Sequence, residues 1–514
     1  MQQRVQDAGK TTVGSHDAPH DTFDDARVDL SPINVSYDVT KESPQTPEFE
    51  MTVTSSGTRW LAMGFLCLGS FINLLDVTIV TVALPRIQSD LRATPTQLQW
   101  VAAIYVLALA AGLLPMGRFG DSWGRKHLFV WGMIGFTLAS AACAGAVNIE
   151  MLIGARLAQG LSAAMMVPQV LAILNVTFPP EEKTRAFGIF ASVSSLASVA
   201  GPVLGGGLIA LDPWGLDWRV IFIVNVPLGI VAIVGAVLTV PAGRVGSQRV
   251  DWIGTALFAL TTVCLVLPLV EGRAMGWSWP MIALLVSAVP LAGLTVGHIF
   301  RRDQRGLAVL IPTVLLRNAS FLQGLTRVVF VFSGIPGFFL VLTVYLQSSL
   351  GLTPLQSGLA TATFPVGVMV ASMNAYRLND WPLLRRIWVG AALLVTGMAL
   401  TALALWQIGA GITPWHLTAP LLTCGLGMGT VIVALFQSVM TTAVAAESGA
   451  ASGALQAFQQ IGVAVGIAVV SSIYFGLSAK GGPLAAMIAA CLYPTILFAL
   501  LGLDSLRKMG RENT

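Results

Sequence analysis

Gly117-Arg118-Phe119-Gly120-Asp121-Ser122-Trp123-Gly124-Arg125-Lys126 separates two apolar runs, 97–116 and 127–147. Each run has the roughly 20 residues that a helix needs to cross the ~30 Å hydrocarbon layer of a bilayer. Three glycines between them permit a tight reversal. Asp121 can cap the third helix or pair with Arg125. Gly117, Gly120, Asp121, Gly124, Arg125 and Lys126 therefore read as a charged latch between helices at one membrane face.

The same pattern of apolar run and short break continues on both sides. It begins at Trp60, and about fourteen runs can be drawn, the first at 60–84, the fifth at 186–210, the tenth at 355–376 and the last at 482–503. Composition agrees, because 55% hydrophobic and 11% charged residues with a mean hydropathy of +0.76 do not suit a water-soluble chain of 514 residues. The expected fold class is an all-α integral membrane protein. Residues 1–58 differ: ten acidic and four basic residues precede Arg59, which describes a solvated, disordered tail and not a signal peptide. A net charge of +4 with no dense basic patch sets nucleic acid aside as a partner. The five cysteines fall singly inside apolar runs, giving neither a disulfide framework nor a metal site.

Orientation follows from lysine and arginine, which are retained on the cytoplasmic side of short loops. With a cytoplasmic N-terminus, seventeen of these residues fall on inward segments, against Arg86, Arg92, Arg219, Arg273 and Lys480 on outward ones. An even number of crossings with both termini inside is expected, in a bacterial plasma membrane.

An ionisable group at membrane depth costs on the order of 3 kcal/mol, so it is retained where it has a partner or a task. Asp76 lies deep in the first run and Arg156 in the fourth, within Gly154-Ala155-Arg156-Leu157-Ala158-Gln159-Gly160. Burial and a neighbouring cation act in opposite directions on carboxyl ionisation. Asp76 facing Arg156 across a water-filled cavity is therefore a candidate proton-coupling pair, while a purely structural ion pair would use the same residues. Arg327 sits near enough to a span end to snorkel to the headgroups. Glu271, Arg273, His127 and His416 read as interface residues. Gly188, Gly201, Pro202, Gly205 and Gly206 mark the fifth run for close helix contact and a bend. Met165, Gln169, Asn225 and Gln347 are candidate cavity residues, with adaptable methionine suited to varied ligands. No HExxH, GxSxG or phosphate-binding loop occurs, so the chain is not read as an enzyme, nor as one that uses ATP.

These residues resemble the major facilitator superfamily, and within it the fourteen-span drug:proton antiporters. The 117–126 segment is similar to the superfamily's loop signature, whose Asp and Arg stabilise one of two access states, and Arg156 with Gln159 and Gly160 is similar to the fourth-helix signature implicated in proton coupling. Gly201-Pro202-Val203-Leu204-Gly205-Gly206 resembles the fifth-helix signature of exporters, with Ala197 where glycine is frequent. Leu75-Asp76-Val77-Thr78-Ile79-Val80-Thr81 resembles the first-helix signature of the fourteen-span branch, with Thr81 departing from asparagine. Asp217-Trp218-Arg219 with Asn225-Val226-Pro227, and Tyr345-Leu346-Gln347 with Gly351, agree as well. The resemblance implies a six-helix bundle at 59–240, two extra transmembrane helices at 241–305, a second six-helix bundle at 306–505 and a cytoplasmic tail at 506–514. It also implies alternating access around a midplane cavity. The expectation is antiport that exports small lipophilic compounds, neutral or singly charged, powered by the proton gradient without a cofactor. Small-molecule substrate, protons and membrane lipid are the expected partners, and an accessory periplasmic adaptor stays open. A dedicated exporter of one metabolite, a nutrient importer of the same fold, or a sensor that transports nothing are the alternatives.

Overall fold

The computed structural model describes residues 56–212, 215–242, 250–272 and 275–512. The tail expected at 1–58 therefore lies outside the described residues as far as residue 55, as does Arg273. All regular structure among the described residues is helical. The first group is α1 (Ser56–Leu91), α2 (Pro95–Trp123), α3 (Arg125–Ala144), α4 (Ile149–Thr177), α5 (Pro180–Leu211), the single turn α6 (Val220–Ile223) and α7 (Asn225–Thr239). Helices α8 (Trp252–Glu271) and α9 (Trp279–Asp303) follow. The second group is α10 (Thr313–Arg317), α11 (Ala319–Val344), α12 (Pro354–Thr361), α13 (Thr363–Met373), α14 (Leu383–Ile408), α15 (Pro414–Met440), α16 (Ser448–Gly481) and α17 (Pro483–Glu512).

Local chemistry sets the helix starts. Thr94 and Gln97 form a reciprocal capping box ahead of α2, Asn148 accepts the Met151 N–H at 2.8 Å ahead of α4, and Thr353 and Gln356 box the start of α12. Gly124, at φ 95°, makes the reversal from α2 to α3 in a backbone conformation that a side chain would strain.

Among the described residues, twelve helical stretches are long and apolar enough to cross a membrane. The expected fourteen is not met helix for helix, for two physical reasons. The fifth run divides into Pro180–Ser198 and Val203–Leu211, bent by 43°, and counts as a thirteenth span only if the two pieces are taken together. The interval between them contains Gly201 and Pro202, where the missing proline N–H interrupts the helical ladder. The tenth run divides at Ala362 into α12 and α13, each too short to cross alone. Pro365 cannot donate to the carbonyl of Thr361, so the ladder lapses there.

Helices α1–α7 pack chiefly on one another, as do α11–α17. The two groups meet where α2 and α4 lie against α16, and α5 lies against α13 and α15. Helices α8 and α9 pair together, and α8 docks against both α2 and α16. Leu138, Leu238 and Val289 are among many large apolar side chains left on the outer surface, as expected where the surrounding solvent is lipid. The five cysteines are all buried and unpaired.

Candidate functional site

Asp76 and Arg156 meet directly. This corrects the expectation of a pair facing each other across water. Arg156 Nη1 donates to Asp76 Oδ2, and the residues are 1% and 0% exposed, respectively. The other Asp76 oxygen accepts from Gln159 Nε2 and Asn225 Nδ2, each at 2.9 Å. Gln159 lies one turn beyond Arg156 on α4, accepts from its Nη1 at 2.7 Å and donates to Ser140 Oγ on α3 at 2.8 Å. Arg156 Nε donates to the Val101 carbonyl at 3.2 Å, and the guanidinium lies 4.2 Å from the centroid of the Tyr105 ring. Side chains from α2, α3, α4 and α7 thus surround the Asp76 carboxylate of α1 and its arginine, with Arg156, Gln159 and Asn225 bonding the carboxylate itself. Burying such a pair is costly unless further hydrogen bonds satisfy it, and this shell of amides and a hydroxyl supplies them.

A second centre lies at the end of the molecule that carries residues 117–126. Asp121 does not cap the third helix; its carboxylate caps α16 across the boundary between the two helix groups, accepting the N–H groups of Gly449 and Ala450 at 2.9 Å each. Arg125 Nη2 donates to Asp121 at 2.6 Å and to the Ala445 carbonyl at 2.5 Å. Lys126 reaches the Val237 carbonyl on α7 at 2.8 Å. A Cβ on Gly117 would overlap the Gly449 carbonyl oxygen, and one on Gly120 would overlap the Gln169 amide. Only glycine lets α2 and α16 approach this closely. Asn175 adds a bond to Ser448 Oγ at 3.0 Å, Thr184 one to Gln437 at 3.1 Å, and Ser452 one to the Pro168 carbonyl at 2.6 Å. This end of the molecule is closed.

Between the helix groups lies a cavity of about 1110 Å³. It begins behind the latch at Val167 and Gln456 and extends toward the opposite end, where exposed Val82, Val203 and Leu359 line it. Phe190, Phe332, Phe339, Phe364 and Phe436 form much of the wall, and no Asp, Glu, Lys, Arg or His is among the described lining residues. Polar character comes from Asn73, from Ser194, Ser195 and Ser198, and from Gln456, Gln459 and Gln460.

The fifth-run glycines separate into two uses. A Cβ on Gly201 would collide with Thr78 Oγ1, one on Gly205 would come within 2.6 Å of Ile79, and one on Gly188 would overlap the Ser372 carbonyl of α13. Gly206 instead lines the cavity.

Met165, Gln169, Asn225 and Gln347 do not line the cavity, contrary to expectation. Met165 packs near Gly132, Gln169 donates to the Met116 carbonyl at 2.8 Å, Asn225 belongs to the Asp76 shell, and Gln347 lies in the π-helical turn after α11. Arg327 is likewise not simply a snorkelling cation, since it pairs with Asp504 of α17 at 2.7 Å. The residues missed carried a faint signal: Asn73 lies one turn before Asp76, and Tyr105 and Ser140 are isolated polar groups in apolar runs.

The sequence profile of the Major Facilitator Superfamily matches residues 66–467. The chain belongs to the major facilitator superfamily. Consistent with a transporter fold, the chain is similar to a human organic anion transporter (TM-score 0.60, 16% identity, 86% of this chain and 99% of that one). It is also similar to a proton:xylose symporter of the superfamily (TM-score 0.61, 12% identity, 87% and 96%). At such identities the likeness concerns fold alone. By sequence, this superfamily transporter is 37% identical over 422 residues to a probable actinorhodin transporter of Streptomyces coelicolor, covering 82% of this chain and 73% of that one. It is 32% identical to a tetracenomycin C resistance and export protein of Streptomyces glaucescens (80% and 76%) and 33% identical to a puromycin resistance protein of Streptomyces alboniger (82% and 83%). It is a multi-pass membrane transporter and not an enzyme.

Proposed function

We propose that this transporter exports small lipophilic compounds, uncharged or singly charged, in exchange for protons, through a cavity exposed alternately to the two sides of the plasma membrane. The observation that carries the reading is the wholly buried Asp76–Arg156 pair beside a large aromatic cavity that has no charged lining of its own. A charged group so deep is retained for a task. The relatives whose names specify export or resistance support the outward direction.

In this reading the polypeptide crosses the membrane fourteen times, with the bent α5 and the divided α12–α13 each counted as one span. Both termini are cytoplasmic, and 59–240 and 306–505 are the two moving bundles, joined by the extra helices of 241–305. The positive-inside rule then places the 117–126 latch on the cytoplasmic side, so the conformation described is closed inward and open outward. Asp76 takes a proton from the outside, which neutralises the carboxylate and loosens its hold on Arg156. The latch of Asp121 and Arg125 parts and the cavity faces inward. A substrate enters, the proton leaves to the cytoplasm, and the pair re-forms as the cavity turns outward. Pumping requires that substrate and proton each favour a different state, because a ligand without differential affinity shifts nothing.

The test is proton release from acidified inside-out vesicles on adding a lipophilic aromatic dye. The parent should discharge part of the pH gradient, and Asp76→Asn, inserted at equal level, should not. Equal discharge by both would remove Asp76 from the coupling step. A narrower reading, export of a single metabolite, is favoured by relatives named for single antibiotics. It predicts resistance to one compound in a panel of aromatic and non-aromatic drugs.

A further inference from the structure

The cavity and the buried ion pair do not touch: Asp76 and Arg156 are absent from the cavity lining, yet a proton-driven exporter must let an occupied cavity act on them. A short continuous path joins the two. Asn73 lines the cavity and lies one turn from Asp76 on α1. Its Oδ1 accepts the hydroxyl of Tyr105 at 2.6 Å in a fully buried setting. The Tyr105 ring in turn lies under the Arg156 guanidinium at 4.2 Å. Among the described residues no hydrogen bond uses the Asn73 amide nitrogen, so it is available to an acceptor oxygen inside the cavity.

We propose that Asn73 and Tyr105 are the positioning residues that couple cavity occupancy to the Asp76–Arg156 pair, and that the substrates they report are carbonyl- or hydroxyl-bearing compounds. This rests on the proton-coupled reading above. A substrate oxygen that takes the Asn73 amide reorients it, the Tyr105 hydroxyl loses or shifts its acceptor, and the ring beneath the guanidinium moves. Arg156 then holds the Asp76 carboxylate differently. The remaining surroundings leave few other routes. The titratable groups facing the pair are Tyr105 from α2 and Cys143 from α3, while α6 and α7 contribute the neutral Phe222 and Asn225. Cys143 reaches only the Gln159 amide, at 3.7 Å, and is not a cavity residue.

The test is the pH dependence of binding of a carbonyl-bearing anthraquinone dye without ionisable groups to the full-length purified transporter. If substrate and one proton exclude each other, the parent's Kd should fall as pH rises, by up to about tenfold per pH unit. Tyr105→Phe retains the ring under Arg156 and removes only the hydroxyl. It should bind the dye within about threefold of the parent at high pH, with its dependence on pH flattened to under twofold per unit. Asn73→Leu, which removes the acceptor from the other side, should flatten it likewise and serves if Tyr105→Phe does not fold. Asp76→Asn is the separate control on the coupling reading. If Asp76→Asn is flat while Tyr105→Phe and Asn73→Leu keep the parental slope, the link is overturned and the coupling reading stands. If the parent itself shows no slope, both fall.

Discussion

Replacing Asp121 by alanine should open the latch end of the molecule. The carboxylate is 4% exposed and receives two backbone N–H groups from the start of α16, at 2.9 Å each, in addition to Arg125. Hydrogen bonds to a charged acceptor contribute about 1.5 kcal/mol each at the low end. Two that cross the boundary between helix groups therefore favour closure by about 3 kcal/mol, or roughly 100-fold in the ratio of closed to open. A floor comes from treating the contact as an ordinary helix cap, about 1 kcal/mol, or fivefold. Arg125 retains its bond to the Ala445 carbonyl, so closure is weakened and not abolished. Spin labels on cysteines introduced at the exposed positions His127 and Thr441 would report the opening as a longer distance, and the native cysteines, all buried, should not compete for label. A five- to 100-fold rise in the open population is expected. A distance distribution that changes less than twofold would refute the reasoning.

Further outcomes follow from the same contacts. Gly449→Ala places a Cβ against the Gly117 carbonyl and the Asp121 carboxylate, so it should reproduce the opening seen with Asp121→Ala in the same label pair, whereas Gly64→Ala, with open space around it, should not. Arg156→Ala strands the Asp76 charge in the interior and should lower stability by about 3–5 kcal/mol, read as a large fall in melting temperature in detergent, and Asp76→Asn, which leaves the buried Arg156 guanidinium without its counter-ion, should shift it in the same direction. Arg327→Gln breaks a pair whose acid, Asp504, is 43% exposed, and screening should hold the loss under about 1 kcal/mol. Phe436→Ala removes a buried ring 6.3 Å from Phe190 and 6.4 Å from Phe332, and should both raise the apparent KM for aromatic substrates and lower Tm, the loss of a buried Phe side chain costing about 3–5 kcal/mol.

Much of the architecture was legible because a bilayer demands long apolar helices, and these stand out in a chain with so few charges. Apolar length alone does not show whether each run is one helix: Pro202 marks the bend in the fifth run, whereas the division of the tenth arises because Pro365 acts on the carbonyl of Thr361 four residues earlier. Asp76 and Arg156 were legible as rare charges, whereas their contact required the crossing geometry of α1 and α4. Asp121 has the chemistry of a capping residue, but its target lies 328 positions away in sequence, beyond what local spacing can show. The cavity lining is the least legible part of the sequence. Glutamine and methionine have no periodic signature that separates a wall residue from a packing one, and Gln169 and Gln459 look alike until the helices are rotated into place.

Efflux of a neutral aromatic dye from energised cells expressing the parent or Asp76→Asn, with and without a protonophore, tests the central claim most directly. Export by the parent that collapses on adding the protonophore, together with an inserted but inactive Asp76→Asn, is the predicted result. Export by Asp76→Asn at the parental rate, or by the parent undiminished without a proton gradient, would contradict it.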